Sequence, residues 1–375
     1  LVSTSMLLML LISTIPLILD AKHVEASTTW HVSKWTEYVA NPVLAAVDRS
    51  YCPSVVYDAN KFSGHGDSYF YKVWYMKKIA GVYKLGYAYS DDGISWTEYG
   101  SVKDNAVYPI VLYDSNGFGN PAGPYYKIWY QVATASNNIW YAESYDGISW
   151  TGDVEVLHYP GTLLNDCYGP DGVLYNPTAT NTGPDPMNYK FVMYVTCFYT
   201  PFATLLYYSP DGISWTVYVS GNLNNDIFPW RTTQQQGIAY PTRFWVVKTE
   251  GGRYVSFYDY FHQPGSKREI RYALSPDGKT GWTDIDVIFS VFDNVPWRAG
   301  RTYQACVLRD DSWSPKWKMW FSGVDTTETV YAIGYAITNK ADPDFKSIQA
   351  AINAATPGDT IVVHEGTYYE NVVVN

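Results

Sequence analysis

From about residue 50 to residue 338, short apolar runs alternate with turn-forming clusters, and they recur in a fixed order. Each unit opens with an apolar run: Pro53–Asp58 (PSVVYD), Pro109–Asp114 (PIVLYD), Gly172–Asn176 (GVLYN), the more polar Tyr240–Val247 (YPTRFWVV) and Ala305–Asp310 (ACVLRD). An aromatic-rich run follows: Tyr71–Tyr75 (YKVWY), Tyr126–Tyr130 (YKIWY), Tyr189–Tyr194 (YKFVMY), Arg253–Tyr258 (RYVSFY) and Trp317–Phe321 (WKMWF). A third run leads into a repeated turn: Ser90–Trp96 (SDDGISW), Ser144–Trp150 (SYDGISW), Ser209–Trp215 (SPDGISW) and Ser275–Trp282 (SPDGKTGW). A fifth unit keeps its third run, Gly334–Thr338 (GYAIT), without the Asp-Gly turn. Asp-Gly between alternating apolar residues marks a hairpin, because Gly takes positive φ at no steric cost. Each unit therefore reads as four antiparallel strands. Such a unit cannot bury both faces alone and packs radially against its neighbours. The expected fold is all-β: one five-bladed propeller over residues 27–340.

The two ends of the chain break this pattern. Met6–Leu19 is almost wholly apolar and Val24-Glu25-Ala26 follows it, so residues 1–26 read as an export signal peptide. An uncleaved anchor and a buried helix are the alternatives. After Asn339, residues 341–375 change character. An amphipathic stretch (Ile348, Ala351, Ile352, Ala355) is followed by a Pro357-Gly358-Asp359 turn and short Val-rich runs. This resembles the opening of the right-handed parallel β-helix of pectin methylesterases and NosD-type proteins. A β-helix needs several rungs to bury its core, so this reading expects the natural protein to continue past Asn375.

Composition narrows the function classes. Aromatics are 17% of the 375 residues, with 36 Tyr and 15 Trp, and charged residues are also only 17%. That profile opposes disorder and suits face-to-face sheets. A net charge of −10 argues against duplex nucleic acid as a partner, because phosphate binding needs a basic face. The four cysteines form no CxxC pair. Export permits disulfides, with Cys52–Cys306 as a staple between the first and last blades and Cys167–Cys197 within one blade. Four buried free thiols are the alternative.

The SxDGxSW turn resembles the Asp-box of sialidases, with no residue between Asp and Gly. Its residues Asp92, Asp146, Asp211 and Asp277 are expected to form turns. The five-blade count and the first-strand pattern resemble the five-bladed glycosidase superfamily of arabinanases, xylosidases, invertases and levansucrases, over roughly residues 48–340. The resemblance implies a site at the channel mouth, where the innermost strands converge. Glycosidases need two carboxylates there. The family's Asp beside the first-strand Pro is replaced by Cys52 before Pro53 and by Tyr108 before Pro109. The third blade offers Asp166 and Asp171 instead of a Glu. If the site is catalytic, Asp48 is the candidate base and Asp171 the candidate acid.

Arg49, Arg231, Gln234 to Gln236, Arg298, Arg301 and Gln304 are expected at the same mouth. Arginines there suit a sugar's hydroxyls or a sugar acid's carboxylate. His262 is the one histidine marked as a site residue. The competing reading is that these groups pair with one another and hold the blades together. No cofactor is expected, and no EF-type loop supports a structural calcium. The expectation is an exported, carbohydrate-active or carbohydrate-binding protein with a polysaccharide partner. A non-catalytic surface module recognising glycans or proteins is the first alternative, and a sialidase-like hydrolase the second.

Overall fold

The computed structural model describes residues 35–45, 49–158, 167–197, 203–222, 226–228, 239–249, 252–262, 267–310 and 312–338, with 348, 349, 352, 372 and 373 near the C-terminus. The chain divides into two units, residues 33–342 and a second made of 1–32 with 343–375. The expected signal peptide lies outside the described residues, as does nearly all of the expected β-helix segment. In the second unit Ile348, Gln349 and Ile352 are helical. Gln349 grips the main chain of Val373 there, donating to its carbonyl (3.1 Å) and accepting from its amide (2.6 Å).

Residues 33–342 form five four-stranded antiparallel sheets. Blade one holds β2 (Arg49–Tyr57), β3 (Tyr71–Ile79), β4 (Val82–Ser90) and β5 (Thr97–Asp104). Blade two holds β6 (Ala106–Tyr113), β7 (Tyr126–Val132), β8 (Ala135–Ser144) and β9 (Thr151–His158). Blade three holds β10 (Cys167–Tyr175), β11 (Phe191–Cys197), β12 (Ala203–Ser209) and β13 (Thr216–Val217). Blade four holds β14 (Ala239–Lys248), β15 (Tyr254–His262), β16 (Lys267–Ser275) and β17 (Thr283–Phe289). Blade five holds β18 (Arg301–Arg309), β19 (Trp317–Val324) and β20 (Tyr331–Thr338), completed by β1 (Thr36–Glu37). The first strands touch one another in the order β2, β6, β10, β14, β18 and back to β2, which closes the ring.

The Asp-Gly turns are built as their composition dictates. Ser90 Oγ donates to Asp92 Oδ1 (2.8 Å) and accepts from the Gly93 amide (2.9 Å). Asp92 Oδ1 accepts from the amides of Ile94 (2.7 Å) and Ser95 (2.6 Å). Partial burial opposes the charge of Asp92, yet these amides hold its carboxyl below the usual range. The same bonds recur around Asp146, Asp211 and Asp277. These four aspartates are turn-formers.

Each turn is also a receptor for the neighbouring blade. Trp74 Nε1 in blade one donates to the Gly147 carbonyl of blade two (2.7 Å), and Trp129 in blade two to Gly212 of blade three (2.8 Å). The Tyr194 hydroxyl of blade three donates to Gly278 of blade four (2.9 Å). Trp320 of blade five donates to Gly93 of blade one (2.7 Å), closing the circle. The indole lies so near that a Cβ on Gly93 would stand 2.8 Å from Trp320 Cζ2. Blade five has no Asp-Gly turn. The matching residue in blade four is Phe257, which has no donor and meets Trp35 edge-on at 5.8 Å.

Ring closure also depends on β1, which pairs antiparallel with β20. Arg298, almost fully buried, donates through Nε to Glu37 Oε1 (3.1 Å) and through NH1 to the Ser290 carbonyl (2.8 Å). It also lies 3.2 Å from Asp293. Asn41 Nδ2 donates to the Tyr335 carbonyl (3.0 Å). The short β1 carries no strand pattern of its own, so the fifth blade's outer strand was not expected from this end of the chain.

The expected Cys52–Cys306 staple is not formed. Both are buried free thiols. Cys306 Sγ instead accepts from the Val55 amide (3.2 Å), and Cys52 Sγ meets the Gln304 side chain. Cys197 is disulfide-bonded, and Cys167 stands directly opposite it in the β10–β11 ladder.

Three outcomes are expected. Tyr194→Phe removes one hydroxyl and leaves the buried Gly278 carbonyl unpaired, costing about 1–2 kcal/mol in urea unfolding. Tyr75→Phe, whose hydroxyl is buried without a partner, is neutral or stabilising in the same assay. Thiol titration of the unreduced, denatured chain finds two reactive groups, Cys52 and Cys306, and reduction exposes the rest.

Candidate functional site

The five first strands converge on a common irregularity. Each carries a bulge at the same height, and at each bulge one residue takes positive φ: Cys52 (57°), Tyr108 (53°), Gly169 (53°), Arg243 (59°) and Gln304 (48°). Four of the five are not glycine. Left-handed backbone at such residues costs about 1–3 kcal/mol each, and such residues gather at functional sites. A bulge also re-aims side chains. Here the bulges surround a central pocket lined by Cys52, Tyr108, Asp171, Arg243, Trp245 and Gln304, among others. The space between them is about 20 Å³, room for about one water molecule.

Side chains of the second strands hold three of these bulges. The residue paired just before the bulge is Ser322 in β19, Thr196 in β11 and Asp259 in β15. Ser322 Oγ accepts from the Cys52 amide (2.8 Å), Thr196 Oγ1 from the Arg243 amide (3.0 Å), and Asp259 Oδ1 from the Gln304 amide (2.6 Å). All three bonds cross from one blade to the next. Asp259 therefore does for blade five what a hydroxyl does elsewhere.

Blade three departs from the common bulge. Two residues are unpaired at the bulge in β2, β6, β14 and β18, but three in β10: Gly169, Pro170 and Asp171. The additional residue is Asp171. Its Oδ2 accepts from Thr196 Oγ1 (2.6 Å), while its Oδ1 is buried without a hydrogen-bond partner. Burial pushes its carboxyl up to about 7, against the Thr196 hydroxyl, the Arg243 charge and the Phe244 amide. Asp259 is pushed up to about 7 by the same burial, against the charges of Arg268 and Arg243.

Two arginines complete the centre. The Arg243 guanidinium lies 4.1 Å above the Tyr108 ring. Its Nε is 3.8 Å from Asp259 Oδ2, and Arg268 NH1 is 3.8 Å from the same oxygen. Burial opposes the Arg243 charge, but Tyr108, Cys52 and Asp259 more than offset it and raise its pKa. Burial and the like charge of Arg243 lower that of Arg268. Burial likewise raises the Cys52 thiol, which leaves it un-ionised.

The sequence-predicted residues fare unequally. Asp171 and Gln304 line the pocket. Asp48, Asp166, Arg231 and Gln234 to Gln236 lie outside the described residues. Arg49 does not line the pocket and stacks over Tyr331 at 4.1 Å. Arg298 clamps β1, and Arg301 pairs with Glu328. His262 lies 3.3 Å from Glu269 and beside Phe292. Arg298 thus ties β1 to the Ser290 carbonyl, while the Arg301–Glu328 pair lies within blade five. Sequence reading did not mark Arg243, Asp259 or Arg268. A signal for Asp259 existed: the sixth residue of the aromatic strand is polar in four of five blades, Gln131, Thr196, Asp259 and Ser322, against Met76.

No protein-family model matches the chain, and no curated protein sequence matches it significantly. Solved structures do match. One comes from work on the GH130 family of mannoside phosphorylases and its hydrolases that target β-1,2-mannosidic linkages in Candida mannan. It is 16% identical, with a TM-score of 0.55, covering 86% of this chain and 98% of that one. The GH62 α-L-arabinofuranosidase catalytic domain of Coprinopsis cinerea is 11% identical, with a TM-score of 0.53, covering 84% and 99%. An endo-arabinase of Bacteroides thetaiotaomicron is 12% identical, with a TM-score of 0.52, covering 81% and 98%. The chain is thus a five-bladed β-propeller with structural neighbours among glycoside hydrolases. At these identities the match is one of fold.

The raised carboxyls predict a pH dependence. A carboxyl whose folded pKa exceeds its unfolded value binds more protons in the folded state between about pH 4 and 7. Stability therefore falls as pH rises through that window and levels off above it. Asp171→Asn keeps the Thr196 bond and removes the titration, so it flattens roughly half of that fall, on the order of 2–4 kcal/mol, in melts from pH 4.5 to 8.5.

Proposed function

We propose that this propeller is an exported glycan-recognition module that binds through its channel mouth and does not hydrolyse its ligand. The observation that carries this reading is the identity of the five bulge residues. None of Cys52, Tyr108, Gly169, Arg243 and Gln304 is a carboxylate. Glycoside hydrolysis needs two carboxyl groups flanking the scissile bond, roughly 5–10 Å apart with sugar between them. Among the described residues only Asp171 brings a carboxyl to the pocket lining, and Asp259 is fully buried on a main-chain amide. The disulfide at Cys197 supports an oxidising compartment. Among the described residues no helix is long and apolar enough to cross a membrane.

One observation favours a second reading. Asp171 has a free buried oxygen and a carboxyl at about 7, as a general acid requires. Asp48 or Asp166 would then supply the second carboxylate.

The full chain, tested on a panel of polysaccharides, separates the two. Retention on glycan without release of reducing sugar is the expected result. Release that disappears in Asp171→Asn or Asp48→Asn establishes a hydrolase and overturns the proposal.

A further inference from the structure

We infer that the central pocket takes the carboxylate of an acidic sugar, with Arg243 as its seat. This rests on the glycan-binding reading and names the ligand class.

The argument begins with hydrogen-bonding capacity. A guanidinium carries five N–H donors in a planar fork. Arg243 is nearly buried, yet its nearest carboxylate oxygen is 3.8 Å away, too far for a hydrogen bond. That oxygen is shared with Arg268, and the other oxygen of Asp259 already accepts from the Gln304 amide. Two guanidinium groups thus face one carboxylate without a close bond to it. Arg268 Nε is itself buried without a partner. Donors held this way in low dielectric attract an anion.

Shape agrees with charge. The Arg243 guanidinium lies 4.1 Å over the Tyr108 ring, and a planar fork matches a planar carboxylate bidentately. The space of about 20 Å³ excludes a sugar ring but suits a small group that displaces one water. A carboxylate projecting from a ring can enter while the ring stays outside.

Asp171 borders the same space with its unpartnered Oδ1. Burial keeps it largely protonated below about pH 7. In that form it is a second donor, and its O–H can meet the ligand's carboxylate. The additional bulge residue of blade three thereby shares the pocket lining with the arginine of blade four.

The test compares galacturonic- and glucuronic-acid oligosaccharides with their methyl esters and with neutral galactose and glucose oligosaccharides, by calorimetry on the full chain at pH 6. The ester keeps the ring and removes the charge, so wild-type protein alone decides the point. Binding of the acid roughly 10- to 100-fold tighter than the ester is expected, the range of one charge-assisted hydrogen-bonded contact. Arg243→Gln, with its fold checked by thermal melting, loses that preference. Equal binding of acid, ester and neutral sugar overturns this inference and leaves the glycan-binding reading standing. Preference for the acid that survives Arg243→Gln overturns Arg243 as the seat. Binding of none of these sugars, together with no retention on the polysaccharide panel, overturns both.

Discussion

The propeller depends on one contact repeated around the ring: an aromatic side chain in the second strand of a blade hydrogen-bonds the turn carbonyl of the next blade. Three of these are fully buried tryptophans, whose large apolar area is the main driving force for packing blade on blade. The hydrogen bond adds direction to that burial. It is available because Ser and Asp side chains satisfy the turn's amides, leaving the Gly carbonyl to face the neighbour. Blade five lacks the Asp-Gly turn that presents this carbonyl, and in blade four the donor is replaced by Phe257. Turn and aromatic residue therefore form one unit split between two blades.

At the centre a different set of contacts crosses between blades. Bulge amides of β2, β14 and β18 are caught by Ser322, Thr196 and Asp259 of the preceding blade. This arrangement holds strained backbone in place and gathers charge. Asp259 binds an amide like its hydroxyl counterparts but also brings a carboxyl into a dry interior, with Arg243 and Arg268 near it. The site is thus a by-product of holding the ring together, and it departs from the common pattern at one position, Asp171 in β10. That departure has no counterpart in the other four bulges.

The blade count and the strand order were legible because the Asp-Gly turns and aromatic runs are local signals. Asp92 and its equivalents could be read as turn-formers because Ser, Asp and Gly each have a fixed task in such a turn. The centre was harder to read. Left-handed backbone at Cys52, Tyr108, Arg243 and Gln304 has no glycine to announce it, although proline follows the bulge residue in three blades. Arg298 looked like a channel residue because it precedes a first strand, whereas its chain direction carries it to Glu37. Cys52 and Cys306 sit in matching blades, but similar sequence position did not bring their sulfurs into a bond. Long-range geometry decided each of these cases.

The two-residue strand β1 has a consequence for how the molecule is assembled. Its partner β20 is the last strand of the propeller to be synthesised, and Asn41 and Tyr335 meet across 294 positions of sequence. Four blades can form from neighbouring strands as the chain lengthens, but the fifth has to wait for its outer edge to return from the beginning. The earliest segment of the propeller is thus among the last to find its place, and the ring stays open until the whole propeller has emerged.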